Sequence, residues 1–231
     1  MQIVYEDNHI IVVNKEPGEI VQGDKTGDKP LVEIVRDYIK EKYNKPGNVF
    51  CGVVHRLDRP VGGLVIFAKT SKALTRLNEM FRLGKIHKTY WAISRFQPNP
   101  PQGKLIHYIT TVEKTNKSTA HIAPKKNAKE ARLNYRLLCE SDRYFLIEVE
   151  LETGRKHQIR VQLAAIGCPI RGDLKYGDKR SNPDGSISLM ARSIEFEHPV
   201  SHKQIKLTAP VADKDALWVA MEQLSNSNNA V

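Results

Sequence analysis

The sequence predicts an α+β protein, a large mixed, mainly antiparallel sheet with flanking helices. Strand-like runs outnumber helical ones along the chain. Within 144–152, Phe145, Ile147, Val149 and Leu151 alternate with Leu146, Glu148 and Glu150, the period-two pattern of a strand covered on one side. Helical spacing is confined to the stretches 30–43, 71–83, 157–166 and 212–224, each separated from the next by strand-like segments. Many strands with few helices, and no internal repeat or heptad pattern, pack as helices laid on a sheet.

Taken in order, residues 3–15 read as strand, with Ile10, Ile11, Val12 and Val13 as a buried run after the turn-like Asp7 and Asn8. Lys15-Glu16-Pro17-Gly18 breaks it, and 23–30 is a loop rich in turn residues. Leu31, Ile34, Val35, Tyr38 and Ile39 recur at helical spacing. An apolar run at 49–54 leads to His55-Arg56-Leu57-Asp58-Arg59-Pro60, and Gly62-Gly63 releases a second run at 64–68. Thr70 or Ser71 caps the next helix, whose apolar face is Leu74, Leu77 and Phe81. Strands are expected at 89–94, 104–113 and 118–123, then a hairpin of 129–139 and 144–152. Thr153-Gly154-Arg155-Lys156 turns into a helix from His157. A long loop over 169–185 precedes a strand pair at 187–197 and 203–209 and a closing helix with Leu217, Trp218, Met221 and Leu224 inward. The expected domain is 1–224, a single catalytic unit, with 225–231 as a disordered tail.

Composition bounds the function. The 231 residues carry 36 Lys and Arg against 26 Asp and Glu, a formal charge of +10, which points to a polyanionic partner. No apolar run approaches the ~20 residues that span a bilayer, and the N-terminus has no cationic region followed by an apolar stretch. Cys51, Cys139 and Cys168 are odd in number and widely spaced, neither a disulfide framework nor a zinc site. A reducing cytoplasm and a monomer are the expectations.

The chemistry is approached by elimination. No phosphate-binding Gly-x4-Gly-Lys-Ser/Thr loop or Gly-x-Gly-x2-Gly turn is present. His198 and His202 bracket a Pro-containing turn, where the helical spacing of paired metal histidines is unavailable, so no metal site is assigned. Asp58 remains, between Arg56 and Arg59. Read blandly, it belongs to a surface ion cluster on a hairpin. Read functionally, nearby cations, with Arg155 or Arg160 as a third, hold an ionised carboxylate as a nucleophile. Arg155, Lys156 and His157 stand at the positive end of a helix, an arrangement that favours an anionic ligand. A metal-dependent phosphoesterase built on Asp58, Asp173 and Asp178, or a non-catalytic RNA-binding module, stay open at this point.

His55-Arg56-Leu57-Asp58-Arg59, followed by Gly63-Leu64 and Ala68-Lys69-Thr70, resembles the signature of the RluA family of RNA pseudouridine synthases. So do Asn14-Lys15-Glu16-Pro17-Gly18, Lys88-Thr89-Tyr90, Thr153-Gly154-Arg155-Lys156-His157-Gln158-Ile159-Arg160, Gly172-Asp173-x2-Tyr176-Gly177 and Phe196-x-His198-Pro199, in order over about residues 3–210. Two departures are Val61-Gly62, where the family carries a hydroxyl pair, and Leu189-Met190-Ala191, where Leu-His-Ala is frequent. The resemblance implies the pseudouridine synthase catalytic fold. It implies isomerisation of uridines in structured tRNA or rRNA, without metal, redox or nucleotide cofactor. Asp58 is then the nucleophile, Arg160 its partner, Tyr90 the platform under the flipped uracil, and Arg56 the residue entering the RNA. Arg59, Arg155, Lys156 and His157 complete the expected RNA-binding set. The chain is expected to begin directly at the catalytic fold, which favours a local stem-loop substrate.

Overall fold

In the computed structural model, which describes residues 1–211 and 215–228, the chain runs through β1 (Gln2–Glu6), β2 (Ile10–Lys15), α1 (Leu31–Lys42), β3 (Gly52–Val53), β4 (Gly62–Ala68), α2 (Ser71–Arg82), β5 (His87–Ser94), β6 (Gln102–Val112), β7 (Lys117–His121), β8 (Lys129–Glu140), β9 (Phe145–Leu151), α3 (Gln158–Ala165), a 3₁₀ turn (Leu174–Tyr176), β10 (Leu189–Glu197), β11 (Gln204–Thr208) and α4 (Ala216–Asn228). The α+β class is the expected one. Contacts gather the chain into two compact units, Met1–His87 with Ala191–Ala209, and Lys88–Met190 with the residues from Pro210 onward.

In the first unit the strand order is β1-β2-β4-β10-β11, with the short β3 also on β4. The stretch 3–15 is not one strand. Asp7 Oδ1 accepts from His9 N (2.7 Å) and Ile10 N (2.9 Å), an Asx turn that folds β1 back antiparallel on β2. β4 is buried at all seven residues, so it reads as a continuous apolar run. Val12 faces Ile66 and Val13 faces Val65 across the antiparallel β2–β4 pair. Of the apolar run at 49–54, only Gly52 and Val53 are strand. α1 lays Leu31, Val32, Val35 and Ile39 inward. α2 is capped by Thr70, whose side chain accepts from Ala73 N (3.2 Å).

In the second unit the antiparallel order is β5-β9-β8-β6-β7. Ala92, Ile93, Ala131, Leu133, Leu146, Ile147 and Val149 are fully buried and form its core. α3 packs on β6 and β7, and α4 on β8. The expected helix over 212–224 is displaced. Residues 212–214 lie outside the described residues, and α4 continues through the expected tail to Asn228, because Ser225 is buried with Trp218 and Met221. Residues 229–231 lie outside the described residues.

Candidate active site

In the first unit, Asp58 sits half-buried on the loop entering β4. Its carbonyl accepts from Val61 N (3.0 Å), closing a turn, and Leu57 and Val61 on either side are buried. The loop is pinned by Lys15, whose side chain is 2 % exposed. Its ammonium donates to the carbonyls of Glu16 (3.0 Å), Arg59 (3.1 Å) and Val61 (2.7 Å), using all the donors a lysine has. Burial pushes the Lys15 ammonium down to about 8, and attraction to Glu19 and Asp58 works against that fall. Lys15 is thus a buried cation beneath the Asp58 loop, where the sequence reading had only the end of a strand and a turn.

Arg56 and Arg59, the arginines flanking Asp58 in sequence, each have a bond of their own. Arg59 pairs with Asp28 (2.6 Å), both well exposed, and the exposed Arg56 donates to Gln22 Oε1 (3.3 Å). His55 Nε2 accepts from Ile66 N (3.1 Å), and its ring lies 4.9 Å from that of Phe81. Gly63 takes φ +109°, and a Cβ there would stand 2.4 Å from Ala191 O and 2.5 Å from Ala191 N. Gly63 thus serves strand packing: it lets β4 lie against β10.

In the second unit, Tyr90 is buried on β5, opposite Val149 of β9. Arg160 lies on α3, whose residues 158–163 are all buried. Its Nε and Nη2 donate to Asp173 Oδ2 (2.7 Å) and Oδ1 (2.9 Å), a bidentate pair that fixes the guanidinium plane. The Tyr176 ring lies 5.0 Å from the guanidinium carbon. The Tyr176 hydroxyl accepts from Ser118 N (2.8 Å) and stands 2.7 Å from His157 Nδ1. Burial raises the Tyr176 hydroxyl's pKa against the lowering pull of the Ser118 bonds.

The Gly-Asp-x2-Tyr-Gly segment is the brace that supplies Asp173 and Tyr176. Gly172 takes φ +88°, and a Cβ there would meet Asn182 Cγ and Ser186 O at 2.8 Å. Tyr176 N and Asp178 N both donate to Asp173 O (3.1 Å). Asp178 accepts from Gly172 N and Lys179 N and faces Arg95 Nε at 3.6 Å. Asp173 and Asp178 are thus consumed inside the fold, which removes the main support for a phosphoesterase built on them. Likewise His198 Nδ1 accepts from Val200 N and Ser201 N, its Nε2 stands 2.8 Å from Asp7, and His202 pairs with Glu197.

The turn before α3 splits the remaining basic residues. Arg155 and Lys156 are exposed, whereas His157 takes a left-handed φ of +56° and is buried against Tyr176. His157 was expected as an RNA contact, and the structure gives its side chain a partner within the fold, Tyr176. Gln158 holds the turn: Oε1 accepts from Thr153 Oγ1 (2.8 Å) and Arg155 N (2.9 Å), and Nε2 donates to Arg132 O (3.0 Å).

Solved structures share this fold. The human RNA pseudouridylate synthase domain containing 4 protein superposes with a TM-score of 0.78 at 23 % identity, over 97 % of this chain and 93 % of that one. In sequence, residues 9–165 match the RNA pseudouridylate synthase family. The ribosomal large subunit pseudouridine synthase D of Zymomonas mobilis is 32 % identical over 99 % of this chain and 74 % of its own length. The tRNA pseudouridine synthase C of Vibrio parahaemolyticus is 30 % identical over 92 % of this chain and 91 % of that protein. The chain belongs to the RNA pseudouridylate synthases, in the RluA family that its motifs resemble. It is an isomerase acting on RNA.

Proposed function

We propose that this enzyme converts specific uridines of a tRNA or rRNA stem-loop to pseudouridine, with Asp58 as nucleophile. The observation that carries the reading is the Asp58 loop itself. It holds a half-buried carboxylate whose backbone is tied down by a buried lysine, while the two flanking arginines keep their charge at the surface. A loop held this rigidly presents its carboxylate without reorganisation. Arg160 aims and stabilises the carboxylate, and the bidentate bond from Asp173 is what keeps Arg160 in one orientation. Tyr90 stacks on the extruded uracil, which an enzyme must take out of its stack to reach. Arg56 enters the RNA beside it. Arg59, Arg155 and Lys156 bind the backbone, and His157 sets the turn that presents the last two. Residues 1–224 act as one catalytic domain.

Relatives named for rRNA and for tRNA match the chain about equally well, at 32 % and 30 % identity, so both substrates belong in the test. A monomer in the cytoplasm is the proposed working state. Free cysteines, with burial pushing Cys51 up to about 12 and Cys168 to about 11, suit a reducing compartment. The experiment is mass spectrometry of total tRNA and rRNA from a deletion strain complemented with wild type or Asp58→Ala. Pseudouridine missing at defined positions should return with wild type alone. Equal restoration by Asp58→Ala would remove Asp58 from the chemistry.

A further inference from the structure

Among the described residues, some cations of the second unit are ion-paired on the sheet, and other exposed ones, Lys114, Lys117, Lys125 and Lys126 among them, are not. On the sheet, Lys104 pairs with Glu152, Arg132 with Glu130 and Glu152, and Arg136 with Glu148. Around a neighbouring cleft the pattern stops. This cleft, of about 350 Å³, is lined by Ile109 and Thr111 of β6, by Asn127 and Lys129 at the start of β8, and by Gly154, Arg155 and Lys156. No carboxylate lines it, and among the described residues Lys129, Arg155 and Lys156 make no ion pair.

These cations are also held by the backbone beneath them. Arg155 Nε donates to Glu130 O (2.9 Å), which directs the rest of its guanidinium outward. The Lys156 carbonyl accepts from Ser118 Oγ (2.9 Å). Asn127 takes a left-handed φ of +64°. Like charges gathered without a counter-charge repel, and a local conflict of this kind marks a ligand site. The cleft's size lies within the ~300–1,000 Å³ of ligand sites, and its lining of lysine, arginine, asparagine and threonine matches what binds phosphate and sugar.

We propose that this cleft grips the sugar–phosphate backbone of the RNA substrate, with Lys129 and Asn127 as contacts beside Arg155 and Lys156. The proposal rests on the enzyme's action on RNA. It assigns the cleft to affinity, so its loss raises KM and leaves kcat at saturating RNA.

The test is fluorescence-anisotropy binding of a labelled substrate stem-loop between 50 and 200 mM salt, for wild type, the Lys129→Gln/Lys156→Gln double variant and a Lys206→Gln surface control, with steady-state turnover on the same RNA. Each phosphate contact contributes ~0.7–0.9 to the slope of log K against log salt. The double variant should therefore lose about 1.5 of slope, bind about tenfold more weakly at 50 mM salt and keep its kcat. An unchanged slope and Kd in the double variant would overturn the cleft assignment whatever the turnover. If wild type makes no pseudouridine while the double variant still shows the slope loss, the cleft assignment stands and the catalytic reading falls. Circular dichroism of each variant should match wild type.

Discussion

Asp173→Asn isolates the brace behind Arg160. The Arg160 side chain is 7 % exposed and the Asp173 side chain 1 %, so the substitution replaces one carboxylate partner of a buried guanidinium with a neutral amide. Removing one partner of a buried pair costs ~3–5 kcal/mol, because the remaining charge stays desolvated. The Tyr176 ring at 5.0 Å still stabilises the cation, which places the expected loss near the lower end, about 3 kcal/mol. In a chain of this size that lowers the melting temperature by roughly 6–12 °C. Differential scanning calorimetry measures it. The companion Arg160→Met/Asp173→Leu replaces both charges with apolar groups and should recover stability to within about 1 kcal/mol of wild type, while turnover stays lost because Arg160 is gone. A drop under about 0.5 kcal/mol for Asp173→Asn, the size of an ordinary surface substitution, would refute the claim that this pair is buried and coupled.

Gly63→Ala should lower stability by about 3 kcal/mol or more, since it combines a φ of +109° with a Cβ 2.4 Å from Ala191 O; thermal melting that matches wild type would show that β4 and β10 do not touch as described. Glu6 gives a pH prediction. Burial alone would raise its pKa, but bonds from Lys42, Lys69, Tyr38 and Tyr43 outweigh that and hold it down to about 2. Its folded pKa lies below its unfolded one, so its stabilisation is present above the ordinary 4.5 and is lost as pH falls towards 2. After discounting for solvent screening this amounts to ~1–2 kcal/mol. Glu6→Gln should flatten the acid limb of stability against pH by that amount in urea titrations, and an unchanged acid limb would remove Glu6 from the ledger.

Much of this architecture was legible because local pattern and burial agree. The alternation of 145–151 became β9, and Thr70 capped α2 as its position predicts. The disagreements have identifiable causes. α3 is buried along most of its length, so its helical face carries little contrast, and it begins at Gln158, one residue after the expected His157. The run 49–54 looks like a strand by composition, yet only two of its residues pair. At the candidate site, Asp58 is singled out by its motif, and the structure shows the loop that holds it. Lys15 is not singled out, because a lysine closing an apolar run reads as a strand end, and its three carbonyl partners come from Glu16 and from residues 59 and 61. Asp173 was noticed as a possible metal ligand and as part of a family motif, with no partner assigned to it. Its partner Arg160 lies 13 residues earlier, and nothing in their spacing announces a pair.

The family motifs therefore divide by where their bonding capacity goes. Lys15 gives its donors to carbonyls, Gln158 its amide to Thr153, Arg155 and Arg132, and His198 its Nδ1 to a turn. Gly63 and Gly172 give up a side chain so that backbones can meet. Buried polar groups that are satisfied in this way fix one geometry, and a partly satisfied set would be costly. If Asp58 and Arg160 act as proposed, what such a scaffold supplies to catalysis is immobility: a carboxylate on a loop tied to β2, and a guanidinium clamped by a second carboxylate. Preorganised charge of that kind stabilises a transition state without reorganising at the moment of reaction. It also explains why so many motif residues surround so few with evident chemistry. Holding the reacting groups still takes more side chains than the reaction does.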